Sequence, residues 1–352
     1  MNITFDFARR PIGQRARAAS RATRVAIALA CAFALGLPFS GAHAQQPAAG
    51  KAPAAQKKAP LPAQVSYATP EAAAQALYDA VKADNLRAIY ATLGPGSGPV
   101  IFSGDQVADN AMRDDLISAW DKALKIEREG DAKATLIIGP NETPFPFPLT
   151  KDAKGWRFDA RAGAEEVVNR RIGANELAAI KVCLAVVDAQ REYAEVDRDG
   201  NGIIEYASKL VSSAGKRDGL YWPTKADEPP SPLGPLAAQA RSEGYVPKGG
   251  KAAKGQPRPG GGAYHGYRLR MLTSQGKDAR GGAYSYLVNG KMIGGFGIAL
   301  YPARYGISGV MTFICNHDGV VYEKDLGPAT PEIAPAMTTF NPDSSWKKSD
   351  AS

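Results

Sequence analysis

The chain has little of what most chemistry needs. Its 352 residues include only three cysteines, three histidines and four tryptophans. Cys31 and His43 fall in the first 44 residues, which leaves Cys183, Cys315, His265 and His317 in the body of the chain. Neither of those histidines lies near a cysteine pair, so the ligand spacing of a structural zinc site is missing. A Gly-x-Ser-x-Gly elbow, a phosphate-binding glycine loop and a His-Glu-x-x-His helix are also missing, which removes the most recognisable hydrolase, nucleotide-binding and zinc-protease signatures. No apolar run approaches the roughly 20 residues that a bilayer span requires.

An excess of one charge is likewise more apparent than real. The formal net charge is +8 and the pI about 9.2. Six of the 43 basic residues and one of the 35 acidic residues precede Ala44, and without them the net charge is +3. Arg9, Arg10, Arg15, Arg17, Arg21 and Arg24, the apolar run 25–37 and Ala42-His43-Ala44 form a secretory leader, with cleavage expected after Ala44. Ala28-Leu29-Ala30 before Cys31 puts leucine in the wrong place for lipidation. The expected location is periplasmic or secreted, with no membrane span after cleavage. With the basic excess gone, and no stripe of basic and aromatic residues in its place, nucleic acid is not an expected partner. An oxidising compartment would permit a disulfide between Cys183 and Cys315; as unpaired thiols they would behave as small hydrophobes.

What is present reads as elements. Residues 45–66 form an Ala/Pro/Lys-rich tether. Thr69-Pro70 caps and opens a helix, Leu86 to Leu93 is a second, and a third is expected from Val107 to Ile126. Ala134 to Ile138, Phe145 to Leu149 and Gly155 to Asp159 read as strands, the prolines of Phe145-Pro-Phe-Pro148 placing the second at an edge or bulge. Asn175 is expected to cap a long helix with Leu177, Ile180, Leu184 and Val187 on one buried stripe. Short helices are predicted at Ile203 to Val211, Leu233 to Ser242 and Pro331 to Met337, and a mobile loop between Lys248 and Gly262. Tyr267 to Leu272, Ala283 to Val288, Gly297 to Tyr301, Val310 to Cys315 and Val320 to Lys324 are short β-rich runs between tight turns, so they pair antiparallel. The fold class is α+β: amino-terminal helices with a hairpin sheet, then a long helix packed on a carboxy-terminal antiparallel sheet. The expected domains are 67–162 and 163–342, with a polar tail at 343–352.

Three sets of residues are candidates for a site. Asp197, Asp199, Asn201 and Glu205 occupy the first, third, fifth and ninth positions of an EF-hand-like loop, with Ile203 offering its carbonyl; Ser208 replaces the bidentate glutamate of the twelfth. Such a loop would hold calcium weakly, and its other reading is a capped, solvated turn. Tyr221 and Trp222, in the loop Lys216-Arg-Asp-Gly-Leu-Tyr-Trp222, suit a binding surface or a pin that fixes the loop to the core. His265 and His317, with Asp318 and Glu323, are the only residues suited to histidine-assisted acid–base work.

Several stretches resemble a secreted bacterial family known as domain of unknown function 2950. They are Thr69-Pro-Glu-Ala-Ala, Gly155-Trp-Arg-Phe-Asp, Asn169-Arg-Arg-Ile-Gly, Tyr193 through Asp199-Gly200 to Glu205-Tyr206, Lys216 to Trp222, Ser231-Pro-Leu-Gly-Pro235 and Gly319 to Gly327. That resemblance implies no activity. From Asn175 onward the order of elements is also similar to the heads of type II secretion pseudopilins, although the apolar amino-terminal helix that assembles such fibres is absent ahead of Asn175. The expected function is therefore a non-catalytic envelope binding or assembly module, with an envelope protein or glycan as partner and calcium as the one expected cofactor. The alternative is a periplasmic hydrolase using His265 or His317.

Overall fold

Helix capping in the amino-terminal half follows local chemistry. In the computed structural model the Thr69 hydroxyl accepts from Ala72 N–H and opens α1 (Pro70–Lys82). Asn85 does the same for α2 (Leu86–Leu93) and Asp105 for α4 (Gln106–Trp120), with the single-turn α3 (Gly98–Ile101) between them. The structure describes residues 61–198, 200–245 and 262–350. The leader, most of the tether, Asp199 and nearly all of the glycine- and lysine-rich segment lie outside the described residues.

The third helix stops earlier than expected. Helix α4 ends at Trp120, and β1 (Leu124–Glu129) pairs in full antiparallel register with β2 (Lys133–Ile138), from Leu124 opposite Ile138 to Glu129 opposite Lys133. The mixed run Leu-Lys-Ile-Glu-Arg-Glu suits helix as well as strand, and the pairing across the hairpin decides. Phe145 to Leu149 is not one strand either: β3 (Thr143–Pro144) and β4 (Leu149–Asp152) flank an irregular Phe145–Pro148. Pro146 and Pro148 have no N–H to give a ladder. The hairpin closes with β5 (Gly155–Phe158), for a sheet order of β1-β2-β4-β5 with β3 beside β2. Leu77, Leu93, Trp120, Leu136, Trp156 and Phe158 bury their side chains between this sheet and the helices.

The long helix starts earlier than expected. Helix α5 runs from Ala160 to Tyr193 and starts at Asp159, whose carboxylate accepts from the N–H groups of Arg161 and Ala162. The expected domain border at residue 162 therefore falls inside one helix. Asn175 is not its cap: the Asn175 amide donates to Ser308 O, and Glu176 accepts from Val310 and Met311 N–H. An aspartate before Ala-Arg-Ala is a sufficient start signal, and the 160–174 stretch helps pack the first core through Ala160 and Val168. Of the expected stripe, Ile180 and Val187 are buried and Leu184 packs partly buried on the core, while Leu177 is 54% exposed; Ala179, Cys183, Val186 and Gln190 complete the buried face.

No helix forms at 203–211. That stretch is irregular and joined to the fold by isolated bridges, Tyr206 to Met292 and Val211 to Tyr221. Helix α6 (Gly234–Ser242) follows. The carboxy-terminal sheet is then built from β6 (Tyr267–Leu272), β11 (Gly297–Pro302), β12 (Met311–Asn316) and β13 (Val321–Asp325), all antiparallel, closed by β15 (Lys347–Lys348) in the order β15-β13-β12-β11-β6. Expected strand 283–288 is split into β8 (Tyr284–Ser285), which pairs with β7 (Ser274–Gln275), and β9 (Leu287–Val288), which turns through Asn289-Gly290 to β10 (Lys291–Met292). The break is at Tyr286, whose side chain is fully buried. Residues 327–336 form α7 (Thr330–Ile333) between two 3₁₀ turns, and β14 (Thr339–Phe340) runs parallel to β7. Ile298, Leu300, Phe313 and Cys315 meet α5 on one face of the sheet, and Ala299, Ile314, Leu272 and Phe340 pack on the other. Cys183 and Cys315 form a disulfide with Cα atoms 6.5 Å apart, and both are fully buried. The architecture is α+β, and among the described residues no helix is long and apolar enough to cross a membrane.

Candidate functional site

The acidic loop is wrapped on itself. The Asp197 carboxylate accepts from the N–H groups of Gly200, Asn201 and Gly202. The Asn201 amide donates to Glu205 and its oxygen accepts from Ile203 N–H. Glu205 is half-buried and ion-paired to Lys291 of β10 at 3.1 Å. These groups already have partners in backbone and ammonium, while Asp199 lies outside the described residues. Among the described residues no three His, Cys, Asp or Glu side chains converge to hold a metal.

Tyr221 and Trp222 divide. Trp222 is 7% exposed, packs edge-on against Tyr193 of α5, and carries the Arg217 guanidinium 5.6 Å above its ring. Tyr193 in turn donates its hydroxyl to Arg217 O. A ring used in this way pins the loop to the core. Tyr221 is half-buried, and its hydroxyl accepts from Arg241 at 3.0 Å. Asp218 holds the turn before them, accepting from Ser213 N–H and pairing with Lys209 at 2.6 Å.

The two histidines lie in different surroundings. His265, at φ +46°, stands 3.1 Å from Glu243 through Nε2, next to Tyr264 and Tyr245. Tyr245 donates to the buried Asp105 at 2.7 Å, and Asp105 also accepts from Gly266 N–H while capping α4. Burial, and then the neighbouring carboxylates, hold the phenols of Tyr245 and Tyr264 well above their usual range, so both stay protonated. This cluster ties both sides of segment 246–261 to the start of α4. His317 follows β12 and packs against Tyr286 and Phe296, its Nδ1 buried without a partner. Among the described residues no serine, threonine or cysteine is hydrogen-bonded to either imidazole, so the pair that would activate a nucleophile is not assembled.

A groove that the sequence did not disclose opens where α1 meets α4. It is an open depression of about 660 Å³. Val81 and Ile117 supply its apolar lining. Most of its charges are already matched: Arg113 pairs with Asp84 at 2.9 Å and also bonds Asn110. Tyr78, at its margin, donates to Asp121 at 2.6 Å and accepts from Lys82 at 2.8 Å. Asp114, Ser118 and Lys122 line the same groove, and among the described residues their side chains have no partner. They recur every four residues, so they form a row along α4 and just past its end. That row reads in sequence as an ordinary solvated helix face; only the packing of α1 beside it makes it concave.

A family model described as a protein of unknown function, DUF2950, matches residues 64–349. The chain belongs to that family. No curated protein and no solved structure matches it, so the likeness to pseudopilin heads rests on element order alone. In this DUF2950 chain the stretches that carry the resemblance do structural work. Thr69-Pro70 starts α1. Gly155 has φ +116°, and a Cβ there would lie 2.4 Å from the Tyr67 carbonyl oxygen. Arg171, largely buried, donates to Pro99 and Val100 carbonyls and so ties α5 to α3.

Proposed function

We propose that this DUF2950 protein is exported and acts in the cell envelope by binding, without catalysis, and that the groove between α1 and α4 receives its ligand. One observation carries the reading: in a groove whose other charges are matched, a carboxylate and an ammonium at opposite ends of one row are left unmatched. Export is supported by the leader and by a buried cystine, a feature characteristic of oxidising compartments. The calcium expected for the acidic loop would act as a clamp there, competing with Lys291 for Glu205. The test uses protein purified from the periplasm, with intact mass expected to begin at Gln45. It is incubated with soluble glycan and peptide digests of the envelope, and retained low-mass components are read by mass spectrometry. Retention by the wild type and its loss in the Asp114→Asn, Lys122→Gln double variant is the expected result. Retention of nothing, or hydrolysis of a glycan or ester that His265→Ala or His317→Ala abolishes, would remove the reading.

A further inference from the structure

The groove's ligand can be narrowed from its charge pattern. Asp114 lies in α4 and Lys122 in the turn just past its end, so at about 1.5 Å per residue the two stand roughly 12 Å apart along the helix direction. Asp84 and Arg113 neutralise each other on the groove wall, and Lys82 and Asp121 meet through the Tyr78 hydroxyl. A ligand of single charge would therefore satisfy one end and leave the other facing it with the wrong sign or none. A dipolar ligand satisfies both, provided that its charges stand about as far apart as those of the row. Ser118 lies midway with a free hydroxyl able to donate and accept, which matches a peptide unit rather than an alkyl spacer. Val81 and Ile117 offer small apolar contacts to side chains of modest size.

We infer that the groove binds a short extended peptide with free ends, its ammonium at Asp114, its carboxylate at Lys122 and a central amide at Ser118. At about 3.3–3.6 Å per residue the span fits three or four residues. The inference rests on the binding function proposed above and adds the ligand class. A free amino acid is too short to bridge the row, and a neutral glycan has no charge to offer either end.

Tri-alanine and tetra-alanine are the probes, titrated into the ¹⁵N-labelled exported protein and followed by amide chemical shifts, a measurement that also registers weak binding. Shifts are expected at residues 110–122 and 78–84. Acetylating the amino end or amidating the carboxyl end should each weaken binding by about two- to fivefold, as expected for an exposed ion pair. Asp114→Asn should match the loss on acetylation and be insensitive to it thereafter, and Lys122→Gln should do the same for amidation. Both substitutions are at exposed positions, so folding is checked by unchanged shifts elsewhere. Equal binding of blocked and free peptides, binding of alanine alone as tightly as tetra-alanine, or no shift at the groove would each overturn the peptide assignment. Retention of a glycan by the groove in the envelope digest, lost in the double variant, would overturn the peptide and leave the binding function standing. If no digest component is retained either, the binding function fails with it.

Discussion

At the scale of single residues, two glycines of the same helix make opposite predictions. A Cβ at Gly163 would lie 1.9 Å from the Pro146 carbonyl oxygen, which is backbone and cannot swing away. Nothing lies within 4 Å of a Cβ at Gly173. Gly163→Ala should therefore destabilise by on the order of 2–3 kcal/mol through overpacking. Gly173→Ala should stabilise by about 0.5–1 kcal/mol, because an unstrained helical position loses backbone freedom in the unfolded chain. Chemical denaturation of the two variants checks both signs. Asp218 offers a pH test. The Lys209 ammonium beside it, together with Ser213, holds its carboxyl down to about 2, against roughly 3.9 in an unfolded chain. A depressed carboxylate contributes stability that is present above about pH 4 and is lost as pH falls through 2. Because the pair faces solvent, the amount is about 0.5–1 kcal/mol after screening. Asp218→Asn should lower the melting temperature at pH 6 and converge with wild type near pH 2. Curves that remain equally separated at both values would exclude the ion pair as the cause.

At the scale of elements, the acidic loop and the β9–β10 hairpin form one unit. Tyr206 N–H donates to Met292 O, and Glu205 pairs with Lys291 beside it. Lys291 thus holds the carboxylate that the ninth position of a calcium loop would offer. Millimolar calcium should raise the wild-type melt only slightly above that in chelator, and Lys291→Ala, which frees Glu205, should enlarge the rise. At tenfold excess over Kd that rise corresponds to about 1.4 kcal/mol. Melts of Lys291→Ala that superimpose with and without calcium would show that the loop is closed by its own hydrogen bonds. The helix expected at 203–211 is missing for a related reason. Its residues bond across to the hairpin and to Leu220 and Tyr221, and each such bond takes a backbone group that a helix would have used within itself.

At the scale of the whole molecule, α5 is the shared part of two cores. Its first half packs the helices and hairpin sheet through Ala160 and Val168, and its second packs the carboxy-terminal sheet through Ile180 to Val187. The Cys183–Cys315 bond joins that helix to the middle strand of the sheet across a sequence separation of 132 residues. A cross-link over so long a loop restricts the unfolded chain strongly. Reduction, or the paired change Cys183→Ala with Cys315→Ala, should cost about 2–5 kcal/mol. The check is a thermal melt with and without reductant, beside a thiol titration of the unfolded oxidised protein. Titration of two thiols would exclude the bond.

The sequence by itself determined what short-range chemistry controls. The helix start at Thr69, the Asn289-Gly290 turn, the β-rich runs 297–301 and 310–315, and two cysteines on apolar runs are each written within a few neighbouring residues, where capping, turn geometry and strand propensity act. It also carried the family stretches, which prove to be caps, tight approaches and pins. What only the tertiary structure decided depends on residues far apart in the chain. Strand β1 exists because β2 lies opposite it, Trp222 is buried because Tyr193 is there to receive it, and the backbone of 203–211 is committed to Met292, to Leu220 and Tyr221, and to the Gln190 side chain. The groove is the sharpest case. Asp114, Ser118 and Lys122 carry the same pattern as any solvated helix face, and concavity is a property of two surfaces, so it arises only when α1 packs beside α4.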